Sequence, residues 1–356
     1  MNSEQITALL QQEGISDKIF PGVVAIIVED GEVSYHEAFG HRMVLPQTKP
    51  MRHDTIFDVA SLTKPIVVTT LVMRLAENGM LDITDPAKKY LPEFNREKIT
   101  LLHLLTHTSG LPAWRPVYLK VKSRDDVSRY LGKIGLEYPT GQQVVYSCLG
   151  YILLGELIER ASGKSLDRLA QERIFAPAEM MTTRYCPPPA WKDNCAATED
   201  SNRFERRMVD GERHCMVDRK RYRWRTGVLC GEVHDENAHF LGGIAGNSGL
   251  FSTARDLAKF CQILLNGGGG VLKSDSIYQL SQVYTAELNS NRSIGWIILK
   301  DGSLYHTGFT GTSIRLHLER RMFAILLTNR VHPDASREGI LGFRDQFHQL
   351  VFGTCN

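Results

Sequence analysis

The sequence predicts an α/β fold of the α+β kind. An antiparallel sheet is built from both chain ends and flanked by terminal helices. A mostly helical unit is inserted between the two ends. Three observations carry this. Near the start, GVVAIIVEDGEVSYHEAFG places two β-rich runs around Asp30-Gly31, a pair suited to a type I′ hairpin. In the last third, SIGWIIL, SLYHTG, TSIRLHL and MFAILLTN follow one another through tight turns. Strands joined so closely must be antiparallel. Between these ends, apolar residues recur at helical spacing.

Taken in order, Ile6, Leu9 and Leu10 mark an amphipathic first helix ahead of the hairpin. Leu62 to Asn78 reads as a helix closed by Gly79, a residue type that ends helices at little steric cost. Thr100 can cap LLHLLTHTSG. Leu149 to Ala161 runs to Ser162-Gly163. Ser252 or Thr253 can cap ARDLAKFCQILLN, which stops at a GGGG run. Ser336 to Val351 reads as the closing helix. The expected units are 1–60 with 240–356 for the α/β part and 61–239 for the helical part. Pro187 to Arg225 has few periodic apolar positions and many charges, including RKRYRWR. An irregular charged insertion is therefore expected at about 187–235.

The chain has 356 residues, 42% hydrophobic and 23% charged, with a formal net charge of +2. That composition is globular. So small a charge gives no general attraction to nucleic acid or to a membrane surface. Seven cysteines, an odd number without a CxxC pair, argue for a reducing compartment. MNSEQITALLQQEGISDKIF lacks the basic-then-apolar pattern of a signal peptide. No run approaches the roughly 18–20 apolar residues of a bilayer span. The expected compartment is the cytoplasm if the chain is full length, and an exported one if a leader was removed.

The chemistry centres on Ser61-Leu62-Thr63-Lys64. Asp58, Ala60 or Ser61 can open the helix, with Pro65 still in its first turn, where proline is tolerated. Residues three apart share a helix face, so Lys64 lies beside the Ser61 hydroxyl. The helix dipole favours negative charge near Ser61, and burial is expected to lower the lysine pKa toward that of a useful base. A serine–lysine pair of this kind is an alternative to serine–histidine. Two further motifs follow in order. Tyr146-Ser147-Cys148 opens a helix after a Pro139-Thr140-Gly141 turn, and His306-Thr307-Gly308 lies on an expected edge strand.

With these motifs the chain resembles the serine β-lactamase and penicillin-binding-protein superfamily, in its class C branch. That branch takes in DD-peptidases, D-aminopeptidases and family VIII-type carboxylesterases. The stretches VASLTK, LLHLLTHTSGLP, PTGQQVVYSCLGYILLGELIERASG, GEVHDENAHFLGGIAGNSGLFSTARDLAKF and YHTGFTGTS carry the resemblance. It implies a class C β-lactamase-like fold and a serine hydrolase working through an acyl-serine. Its substrate would be a carboxylic ester, or the amide of a small or D-amino-acid substrate. Ser61 would be the nucleophile, Lys64 would help take its proton, and Tyr146 would relay the proton to the leaving group. The backbone N–H groups of Ser61 and Phe309 would form the oxyanion hole, with Gly308 leaving room for the substrate. No metal or organic cofactor is implied. The partner is a small-molecule or peptide substrate, with neither nucleic acid nor membrane. The oligomeric state is left open.

Two departures shift the expected substrate. Cys148 stands where the motif commonly has asparagine, and a thiol hydrogen-bonds poorly. His306 stands where β-lactamases have lysine, and a neutral imidazole holds a carboxylate less firmly. Both move weight from β-lactamase toward esterase or aminopeptidase. The alternatives from other classes are a slowly deacylating penicillin-binding or sensor protein, and an acyltransferase. Cys148 as a nucleophile at a helix start is a further reading. So is a zinc pair of His103 and His107 at i, i+4, or a zinc site among Cys186, Cys195, Cys215, Cys230, His214 and His234. RKRYRWR reads as a solvated loop, a polyanion contact or a lid on the cleft.

Overall fold

The computed structural model describes residues 2–211 and 222–353. Its main sheet has seven strands. In spatial order they are Lys49–Pro50, Glu32–Met43, Gly22–Glu29, Met322–Thr328, Ser313–His317, Leu304–Thr307 and Ile297–Ile298. Every pairing is antiparallel. The two chain ends meet in the centre, where Ala25 lies opposite Leu326 and Ile26 opposite Ile325. The hairpin turn has φ +50° at Asp30 and +86° at Gly31, the two positive values that a type I′ turn needs.

Side-chain alternation then assigns the two faces. Val23, Ala25 and Ile27 meet Ile6, Leu10, Phe343 and Phe347 of the terminal helices. Val24, Ile26 and Val28 face the other way and join the larger core with Leu62, Ile66 and Leu154. This double burial explains why GVVAIIV reads as an apolar run and not as an alternating one.

The expected helices form, with shifted ends. The closing helix spans Ile340–Phe352, starting four residues late behind Gly339 at φ +88°. Thr253 caps Ala254–Leu265 through the Asp256 N–H. Ser147 caps Cys148–Ser162, and Gly163 ends it at φ +67°. Thr100 caps a helix that covers only Leu101–Leu105. His107 sits beyond that end at φ +60°, so His103 and His107 do not share a helix face.

The charged insertion departs from expectation. Its described residues include regular elements: Pro189–Asn194, a strand Ala197–Asp200 paired with Val228–Cys230, and a helix Arg203–Gly211. Sparse apolar anchors, such as Val209 against Tyr118 and Trp224, suffice to hold that helix. His214, Cys215 and Arg219 to Arg221 lie outside the described residues. Among the described residues no helix is long and apolar enough to cross a membrane.

Candidate active site

The chain enters the site along a short strand, Phe57–Asp58, then a single 3₁₀ turn, Ala60–Leu62. Ala60 adopts φ +49°, a left-handed conformation that costs an alanine about 1–2 kcal/mol. The buried Asp58 carboxylate offsets this by accepting the Ala60 N–H at 2.9 Å. The result presents Ser61 at the cleft while Lys64 begins the helical run that continues as Thr70–Glu77.

Lys64 is fully buried. Its ammonium donates to Ser61 Oγ at 2.9 Å and to the Asn247 carbonyl at 2.8 Å, with Cys148 Sγ at 3.7 Å. It lies 5.0 Å from the Tyr146 ring centre. The expected lowering of its pKa is not found. Burial does press downward, but attraction to Cys148 and Tyr146 outweighs it and raises the pKa above that of an ordinary lysine. Lys64, Tyr146 and Cys148 form one coupled cluster, in which ionisation of either neighbour favours the charged lysine.

The Tyr146 hydroxyl is buried and has no hydrogen-bond partner among the described residues. Burial raises its pKa, while the Lys64 charge and contact with Ser61 pull it down. The ring is seated against His107, 4.5 Å between centres. His107 accepts the Ser147 N–H at Nδ1, so the LLTHTSG stretch forms the wall behind the tyrosine. Burial raises the Cys148 pKa, opposite to what a thiolate nucleophile needs.

His306 is buried at the cleft. Its Nδ1 donates to the Thr307 carbonyl at 2.9 Å, which leaves Nε2 as an acceptor without a partner among the described residues. Burial, with Lys64 and Arg292 nearby, holds its pKa well below the ordinary value, so it is neutral. Its strand is second from the sheet edge. The outer strand covers only Leu304 and Tyr305, which leaves His306 and Thr307 open on that side.

Gly308 is required for a reason other than substrate space. A Cβ there would stand 2.2 Å from Thr312 Oγ1 and 2.4 Å from the Val59 carbonyl. The turn is bolted to the serine strand, since Thr310 and Thr312 hydroxyls donate to the Asp58 and Val59 carbonyls. Among the described residues the Phe309 N–H has no acceptor, so it is free to donate to an incoming oxyanion.

Ser61, Tyr146, His306, Gly308 and Phe309 line one cleft of about 610 Å³. Sequence reasoning missed its other wall: Arg292, Arg330, Arg337 and Arg344 line it with one acid, Glu338. Arg344 donates to the Gly308 and Thr312 carbonyls, and burial lowers its pKa to about 10. Arg330 donates to the Phe309 carbonyl at 2.9 Å. Arg292 is only 8% exposed, yet its guanidinium makes no hydrogen bond or ion pair among the described residues. It lies 5.9 Å from the Tyr146 ring centre. No local motif marks these arginines, which are scattered over the last 65 positions.

Residues 6–347 match the Beta-lactamase family model. The chain belongs to the Beta-lactamase family. It is a serine hydrolase of that family, acting through an acyl-serine intermediate. A Bacillus subtilis relative, named N-acetylmuramyl-L-alanine amidase, is 31% identical over 88% of this chain and 78% of its own. The solved structure titled EstCE1, a hydrolase with promiscuous acyltransferase activity, superposes with a TM-score of 0.76 at 21% identity. The match covers 98% of both chains. A Beta-lactamase/D-alanine carboxypeptidase from Yersinia pestis gives a TM-score of 0.73 at 21% identity, covering 99% of each. These two likenesses establish the fold. Among the described residues, His103 is used by Thr100 and His107 by Ser147, and no group of three or more metal-binding side chains occurs.

Proposed function

We propose that this Beta-lactamase-family hydrolase cleaves the amide bond of a small peptide-like substrate that carries a carboxylate. Ser61 is the nucleophile, and Lys64 with Tyr146 is its base. The observation that carries the substrate class is Arg292, on the wall of the Ser61 cleft, whose Nε is buried and whose guanidinium has no hydrogen bond or ion pair among the described residues. A buried charge without a partner is costly, and an arriving carboxylate supplies the partner with paired, charge-assisted hydrogen bonds. The amidase name of the Bacillus subtilis relative supports the same class.

Lys64 keeps its proton, so the active form has lost one proton from Tyr146. The phenolate takes the Ser61 proton as Oγ attacks the carbonyl carbon. The carbonyl oxygen becomes an oxyanion facing the Ser61 and Phe309 N–H groups. Tyr146 then passes its proton to the leaving nitrogen, the C–N bond breaks, and the acyl-serine remains. Water repeats the cycle: Tyr146 takes its proton, the ester bond to Ser61 breaks, and Oγ recovers a proton. Amide and water give carboxylic acid and amine.

The test uses matched N-acylated D-dipeptides with a free or an amidated C-terminus. Turnover of the free acid in wild type, absent in Ser61→Ala and weakened in Arg292→Ala, is expected. Equal turnover of both substrates would refute the carboxylate reading. A lasting benzylpenicillin adduct without peptide turnover would show a slowly deacylating binder instead.

A further inference from the structure

Among the described residues, the insertion touches the cleft at the Phe309 side chain. Phe204 touches that ring at 4.8 Å between centres, and His234 stacks on it at 5.5 Å and 26°. The Arg330 guanidinium covers it at 4.6 Å. Both aromatic neighbours are held by one buried acid. Glu199 accepts the Phe204 N–H with Oε1 at 2.9 Å and bonds His234 Nε2 with Oε2 at 3.1 Å. The His234 N–H donates to Asp58 at 2.8 Å, and the other oxygen of Asp58 holds the Ala60 N–H. Glu199 and Asp58, joined through His234, therefore tie the turn before Ser61 to the residue after Gly308.

We propose that Phe204, His234 and Glu199 are positioning residues that set the spacing of the two oxyanion donors. This rests on Ser61 and Phe309 as those donors. Each N–H must aim at a point where charge develops, and a preformed aim avoids reorganisation during reaction. Phe309 carries its N–H on a turn whose side chain is partly exposed at the cleft. The three-sided clamp fixes that side chain, and with it the direction of the backbone. The insertion is thus a brace behind the oxyanion turn.

Steady-state kinetics with p-nitrophenyl acetate test this in the full chain. Phe204→Ala should lower kcat about 10-fold, less than the roughly 100- to 1000-fold loss of a whole donor. KM should stay unchanged, and Phe204→Tyr, which keeps the ring, should restore kcat. His234→Gln decides the matter if Phe204→Ala does not fold, and the same kcat loss at constant KM is expected. Unchanged kcat in a folded Phe204→Ala or His234→Gln would overturn the brace. So would a loss confined to KM. Ser61→Ala separates the two readings. Turnover surviving in Ser61→Ala removes the site assignment itself, whereas turnover lost there but intact in the clamp variants removes only the clamp.

Discussion

Lys64 and Arg292 are two buried cations flanking one serine, and they are held in opposite ways. Lys64 is enclosed, with Ser61 Oγ and the Asn247 carbonyl as acceptors. Arg292 is nearly as buried and has neither an acceptor nor an acid among the described residues. The desolvation cost of Lys64 is offset within the protein. That of Arg292 has no such offset among the described residues. Under the proposed function, the contrast separates a charge that works on the nucleophile from a charge that selects what the nucleophile meets.

The largest effect should come from the enclosed cation. Lys64→Met is expected to lower kcat by about 10²- to 10⁴-fold, the range of general-base catalysis, because Tyr146 loses the adjacent charge that favours its phenolate, with every substrate alike. A loss restricted to carboxylate substrates would erase the distinction from Arg292.

Arg292→Met should act selectively. Hydrogen bonds to charged groups contribute about 1.5–3 kcal/mol. The expected loss in kcat/KM is therefore roughly 10- to 100-fold for a free-acid peptide, and almost none for p-nitrophenyl acetate. The same variant should melt at an equal or higher temperature, since it removes an uncompensated buried charge. A lower melting temperature would show that Arg292 has a stabilising partner after all.

The pH profile sharpens the contrast from the base side. Burial raises the Tyr146 pKa and neighbours raise that of Lys64. The reactive form gains population as pH rises, so kcat/KM for p-nitrophenyl acetate should climb through pH 7–10 and flatten in Tyr146→Phe. His306 is held neutral, so no activity step near its ordinary pKa is expected from it. A profile already flat by pH 7 would contradict this protonation scheme.

The smallest effect concerns stability. His348 is buried on Ser313 Oγ at 2.9 Å, and burial holds its pKa well below the ordinary value. Below about pH 6.5 the unfolded chain takes up a proton that the native His348 refuses. Stability then falls with pH, by up to about 1.4 kcal/mol per unit for this group. His348→Gln should flatten that part of the curve, measured by urea denaturation between pH 6.5 and 5. An unchanged slope would place the sensitivity elsewhere.

What the sequence disclosed follows the range of the interactions. Ser61 and Lys64 are three residues apart, and the 3₁₀ turn and helix start suffice to join them. Asp30-Gly31 and the tight C-terminal turns likewise act locally, so the antiparallel sheet was legible. The Lys64 pKa direction was not, because it depends on Tyr146 and Cys148, more than 80 positions away. Arg292 depends on what does not face it, which no motif encodes. The insertion seemed irregular because its order comes from distant pairs: Arg225 with buried Glu236, Tyr222 with Glu236, Phe204 with Phe309. In GEVHDENA, His234 stacks on Phe309 and Asn237 holds the Arg115–Val117 backbone. Of RKRYRWR, the described Tyr222 and Trp224 pack near Tyr118 and Arg225 pairs with buried Glu236.

Peptide mapping by mass spectrometry after labelling with a fluorophosphonate tests the central claim most directly. The account predicts one adduct per chain, on the peptide containing Ser61, and none in Ser61→Ala. An adduct on Cys148, or labelling that survives in Ser61→Ala, would contradict it.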